Sequence, residues 1–150
     1  MIQRIQTIHL LIALGLLVAV NFFPLVTATI PGGSCVVSSL GVTGFGGSTF
    51  WAWGLILFSS LAALLALVAI ISFGNRRRQM SLCVYGILAA LGFYACLGVQ
   101  VWTIYSALPD ATFVPELAGQ LPLISIIFFI LAGRAIKRDE ALVRSVDRIR

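Results

Sequence analysis

"FWAWGLILFSSLAALLALVAIISFGNRRRQM" (residues 50–80) is the stretch that decides the fold. Phe50–Phe73 contains no charged residue. Its length suits a helix crossing a hydrocarbon core, which takes about 20 mostly apolar residues for about 30 Å. Gly74 and Asn75 then interrupt the run, three arginines follow, and a second apolar run begins at Met80. An apolar segment, a tight basic turn and another apolar segment make a helical hairpin. Its turn belongs on the cytoplasmic side, because Lys and Arg near the ends of spans set orientation.

The rest of the chain agrees with its centre. Of 150 residues, 60% are hydrophobic and 10% charged, and the mean hydropathy is +1.07. A soluble domain carries about 25% charged residues, so a water-soluble globule is excluded. Length allows one domain, residues 1–150. The net charge of +5 sits beside apolar segments, which makes it a membrane-topology signal and not a nucleic-acid one.

Four spans are expected: about 5–26, 50–73, 80–107 and 115–136, with an outer loop at 27–49 and a cytoplasmic tail at 137–150. In the fourth, the strictly apolar part "LPLISIIFFILAG" (121–133) is too short alone. A helix starting near Pro115 supplies the missing length, since Pro suits a first helical position. Glu116 would then favour the positive end of the helix dipole. Backbone groups in lipid must be bonded within the segment, so helices are expected, and the alternation of a membrane barrel is absent.

Arg4 precedes the first span, and Arg76, Arg77 and Arg78 fill the turn after the second. Arg134, Lys137, Arg138, Arg144, Arg148 and Arg150 follow the fourth. Loops 27–49 and 108–115 hold no Lys or Arg, and the second of these carries Asp110. The expected fold class is therefore an all-α membrane protein, a four-transmembrane-helix bundle with both termini cytoplasmic. Trp51, Trp53, Trp102 and Tyr105 fall at the outer ends, where an aromatic belt belongs. A competing reading stays open: residues 1–28 as a cleaved signal peptide, with "VTA" (26–28) before the cut. A mature chain starting at Thr29 would decide for it.

The loop 27–49 is uncharged and rich in Gly, Ser and Thr. Its "SCVV" and "LGVTGF" pieces can pair as short strands between Gly-rich turns; the leading reading is a flexible outer loop, and a small cap over the outer mouth of the bundle is the alternative. Ser59, Ala62, Ala63, Ala66 and Ala69 in the second span are small, as are Gly86, Ala89, Ala90, Gly92, Cys96 and Gly98 in the third. Small residues permit the close backbone approach that replaces the hydrophobic drive between helices in lipid, so the two faces are expected to meet.

Residues able to carry chemistry are few. His9, Asn21 and Gln100 are the intramembrane polar candidates. Polar groups in spans are costly and often functional, but water or a carbonyl for His9, and bonds between helices for Asn21 and Gln100, are the leading explanation. Cys35, Cys83 and Cys96 are scattered, so neither a redox CxxC pair nor a zinc site is expected. "GVTGFGG" lacks the Lys of a phosphate loop. No catalytic residue, metal or cofactor is expected.

The chain closes on "RAIKRDEALVRSVDRIR" (134–150). At 100° per residue, Ile136, Leu142, Val143, Val146 and Ile149 fall in one arc, with Arg144 and Arg148 opposite. Asp139 interrupts the arc. Arg134, Lys137 and Arg138 act as topology anchors, and the charge-balanced remainder reads as an amphipathic helix with Leu142, Val146, Ile149, Arg144 and Arg148 as candidate contact residues, suited to lie on the bilayer, pack under its own bundle or dock to a protein; a frayed solvated end is the plain alternative. Without stacking aromatics or net basic charge, it is not a nucleic-acid arm.

The opening "MIQRIQTI" and this closing run resemble an uncharacterised family of small Gram-negative bacterial proteins with four spans, known only as a domain of unknown function. The resemblance implies an inner-membrane protein with a retained N-terminus and carries no catalytic residues. The expected function is that of a non-enzymatic accessory or scaffold subunit, touching membrane lipid and meeting a protein partner through its cytoplasmic face. The alternative is a small transporter or a lipid- or solute-binding protein using His9, Asn21 and Gln100.

Overall fold

A computed structural model of the chain describes residues 2–30, 33–44, 52–72 and 74–147, with residues 2–4, 52 and 144–147 described by backbone alone. Helix α1 (Ile2–Ala19) ends in a 3-10 turn, Val20–Phe22. Strands β1 (Val26–Ile30), β2 (Gly33–Ser38) and β3 (Gly41–Thr43) follow. Then come α2 (Ala52–Ile71), α3 (Arg76–Ala107), β4 (Thr112–Pro115), a 3-10 turn at Leu117–Gln120, and α4 (Leu121–Asp147). All four helices are long and apolar enough to cross a membrane. They pack in the cyclic order α1–α2–α3–α4, each against two neighbours.

The all-α expectation is corrected by a four-stranded antiparallel sheet in the order β3–β2–β1–β4. The loop 27–49 is not a plain flexible connection over its described residues: the pairing open to "SCVV" and "LGVTGF" is present as Val36 opposite Thr43 and Val37 opposite Val42. β1 and β4 were not expected. Val26, assigned to the first span, begins β1, because Pro24 follows the end of the helical segment and "VTATI" is β-branched and alternating. Pro115, expected to open the fourth helix, instead closes β4. The proline in the first turn of α4 is Pro122. Glu116 N–H donates to the Leu25 carbonyl at 3.0 Å and Val26 lies opposite Pro115. The ladder alternates, so Pro115 nitrogen falls on the free edge, where a proline loses no bond and leaves no donor for a further strand.

The sheet is one-sided. Val26 and Ala28 of β1, Cys35 and Val37 of β2, and Val42 of β3 are buried, while the residues between them are not. These inward chains form one apolar core with Leu25, Leu55, Phe93 and Ala118, backed by Phe58, Leu97 and Ile104. A second core lies among the helices and is small-residue rich: Ala13, Ala62, Ala63, Ala66, Ala69, Ala89 and Ala132 surround Leu10, Leu17, Phe129 and Ile136. Small faces do carry the helix contacts, with a difference from the expected pairing. A Cβ on Gly92 would meet the Phe58 ring of α2 at 2.6 Å, but one on Gly86 would meet the Phe129 ring of α4 at 2.6 Å. Gly98 faces open space.

β1 and β4 pair across the exits of α1 and α3, so the sheet sits at one end of the helices. The α2–α3 turn lies at the other, together with the late part of α4. That late part is not a separate tail: α4 runs unbroken through Asp147.

Candidate functional site

The charged residues gather at the α2–α3 turn, and capping builds that turn. Asn75 accepts from Arg78 N–H at 3.2 Å, satisfying one of the free donors at the start of α3. Gln79, buried, donates from Nε2 to the Ala69 carbonyl at 3.0 Å in the last turn of α2. Both ends of the turn are thereby closed by side chains from "NRRRQ".

Three arginines in the first turn of a long helix sit at the positive end of its dipole, an unfavourable place. Asp139 of α4 offsets this. Its Oδ2 lies 3.0 Å from Arg76 Nη2, and Arg76 Nη1 donates to the Asp139 carbonyl at 3.3 Å. The pair is largely out of solvent, 27% and 13% exposed. This explains the acid that interrupts the apolar arc of the closing run: it turns inward to the arginine turn. A lone acid on an apolar face, in a chain with one triple-Arg turn, was the available signal.

Arg77, Arg78, Arg134, Lys137 and Arg138 are exposed at the same end. Arg4 lies in α1, with its side chain outside the described residues. Leu142 and Val143 are 46% and 43% exposed on α4. Arg144 and Val146 lie within α4, with side chains outside the described residues, as Arg148 and Ile149 are entirely. The exposed groups at this end supply positive charge and hydrogen-bond donors; among the described residues no cluster of metal-ligating side chains occurs.

The polar candidates within the helices are not brought together. His9 lies between α1 and α4, its ring 6.0 Å from that of Phe128. Its Nδ1, and Nε2 of the buried Gln6 one turn earlier, have no partner among the described residues. Asn21 lies at the sheet end, where its Nδ2 donates to the Leu17 carbonyl at 3.0 Å and its Oδ1 accepts from Ser59 at 2.8 Å. Gln100 is buried in the same half of α3. Asn21 lines an open groove of about 420 Å³ between α1 and α2, together with Val18, Ser60 and Leu64. Neither His9 nor Gln100 lines it.

The sheet end holds polar contacts that sequence reasoning missed. Thr27 donates to Glu116 Oε1 at 2.9 Å across the β1–β4 ladder. The Tyr94 hydroxyl donates to the Gly119 carbonyl at 2.8 Å and accepts from Leu123 N–H at 2.9 Å, which pins the start of α4 to α3. Cys35 points into the sheet core, and burial pushes its thiol above the usual range, so its sulfur is not a surface linkage point.

The family model of a domain of unknown function, DUF4293, matches residues 2–149. The chain belongs to this family. Neither curated proteins nor solved structures gave a match.

Proposed function

We propose that the chain is a non-enzymatic integral protein of the Gram-negative inner membrane, an accessory or scaffold subunit that meets a protein partner through its arginine end. It would cross the membrane four times with both termini cytoplasmic and carry its sheet on the outer side. The observation that supports this most is the polarity of the helices. All Lys and Arg described by side chain lie at the turn end, and exposed Trp53, Trp102 and Tyr105 lie at the sheet end. The Arg76–Asp139 pair joins the turn to the extension of α4, so the two form one continuous surface, the one that would face the cytoplasm in this reading. The alternative, a small transporter or solute-binding protein, draws on the groove beside Asn21; the separation of His9 from Asn21 and Gln100 favours the scaffold.

Two experiments test this. An impermeant maleimide should label Asp110→Cys from outside the cytoplasmic membrane and spare Arg77→Cys; the reverse pattern overturns the orientation. Truncation before Lys137, followed by co-purification, should remove the partner. Unchanged partners would refute the arginine end as the contact surface.

A further inference from the structure

The sheet end carries a feature the scaffold role does not use. α3, at 32 residues, spans about 48 Å at about 1.5 Å per residue and outruns a hydrocarbon core of about 30 Å. Along its outer turns Leu97, Gly98, Val101, Trp102 and Tyr105 line an open trough of about 400 Å³, which Phe113 of β4 closes from above. Gly98 is its floor, since a Cβ there would meet nothing within 4 Å. One wall is a chain of rings: Trp102 and Tyr105 centroids are 6.4 Å apart, as are those of Tyr105 and Phe113. Tyr94 lies at the inner end of the trough, and its hydroxyl is engaged with α4. The trough therefore offers almost only carbon.

We propose that this trough is a binding site for one acyl chain of a membrane lipid from the sheet-side leaflet, an inference that rests on the membrane reading above. Length selects the occupant. From Tyr94 to Tyr105 the trough runs about 16 Å, close to one leaflet, half of a core of about 30 Å. A spanning helix of a partner would need the whole core and would continue past it, where Phe113 stands. Such a helix would also want a stripe of small residues, but Gly98 is flanked by Leu97, Val101 and Trp102. An acyl chain needs only carbon walls. Its head would emerge beside Trp102 and Tyr105, 71% and 50% exposed, whose indole N–H and hydroxyl can donate to ester or phosphate oxygens.

The test uses the whole chain with Trp51→Phe and Trp53→Phe, which leaves Trp102 as the single tryptophan, excited selectively over the tyrosines. Phosphatidylglycerol brominated at mid-chain is titrated into the protein in mild detergent. Saturable quenching of Trp102 at a few lipid equivalents is expected. Gly98→Leu should weaken it by about tenfold or more by filling the trough. Gly15→Leu, at an exposed glycine of α1 that also faces open space, should leave it unchanged. Quenching that never saturates and is equal in Gly98→Leu overturns the proposal. So does a dimer that Gly98→Leu converts to monomer, which would make the trough a contact between copies. Should Gly98→Leu not fold, native mass spectrometry of the unsubstituted protein decides: one retained phospholipid per chain supports the site, and none overturns it. These readouts do not depend on orientation, so failure of the membrane topology shows separately in the maleimide labelling.

Discussion

The two ends of these four helices are closed by opposite means. The arginine end is closed by polar groups, locally by a tight turn with two capping side chains and at long range by one ion pair between α3 and α4. The sheet end is closed by distant partners and by carbon. β1 and β4 pair across more than eighty residues of chain, and their inward faces share a core with α2 and α3. Local closure fixes where the helices turn. Distant closure fixes how two helical hairpins, α1 with α2 and α3 with α4, stand against each other across the arginine turn.

The largest expected effect separates the two ends directly. Val37→Asp places a carboxylate in the sheet core opposite Val26 and Val42. A buried charge without a partner costs on the order of 3–5 kcal/mol, so the thermal transition should fall sharply or be lost. A melt unchanged from the parent would show that the sheet core does not hold the hairpins together. Next comes packing between the ends. Gly86→Val drives a side chain into the Phe129 ring, and such overpacking costs about 1–3 kcal/mol. Gly98→Ala, with open space around it inside α3, should cost nothing and gain up to about 1 kcal/mol from helix propensity, and equal effects in denaturant melts would contradict both assignments.

Arg76→Ala tests the arginine end. It leaves the Asp139 carboxylate poorly solvated and unpaired, at a cost of about 1–3 kcal/mol. Amide hydrogen exchange should quicken over 137–143 and stay unchanged in β1 and β4; faster exchange at both ends would mean they are coupled and not separately closed. Smallest is Thr27→Val, which removes the hydroxyl bonded to Glu116. It should cost about 1 kcal/mol and loosen only the β1–β4 ladder, seen as faster exchange at Val114.

What could be read from sequence follows the same division. The α2–α3 hairpin was legible because its signals are contiguous: an apolar run, Gly-Asn, arginines, another apolar run. Strands β2 and β3 were legible only as one option, from two short apolar pieces, "SCVV" and "LGVTGF", adjacent in sequence between Gly-rich turns; the two residues that join them, Ser39 and Leu40, carry no hairpin signal of their own. β1 and β4 were not. β4 is only "TFVP", too short to show a period, and its partner strand lies beyond α2 and α3. Val26 and Pro115 each had a local reading, as the end of one helix and the start of another, and tertiary pairing overrode both. Among the site residues, the basic positions were legible from charge alone. The inward turn of Asp139 needed knowledge that α4 continues past Ile136 beside the arginine turn, and burial of Gln79 needed the Ala69 carbonyl it caps.

The place of β4 in the sheet has a consequence for the order of assembly. β1, β2 and β3 are complete once the first 43 residues exist, and hairpin pairing among them closes only short loops. The other edge of β1 has no partner until α2 and α3 have formed and Thr112–Pro115 has been made. Closing so long a loop is slow compared with a hairpin. The β1–β4 ladder is thus the last part of the sheet to form, and protection of its amides during synthesis would mark the moment when α2 and α3 stand in place behind it.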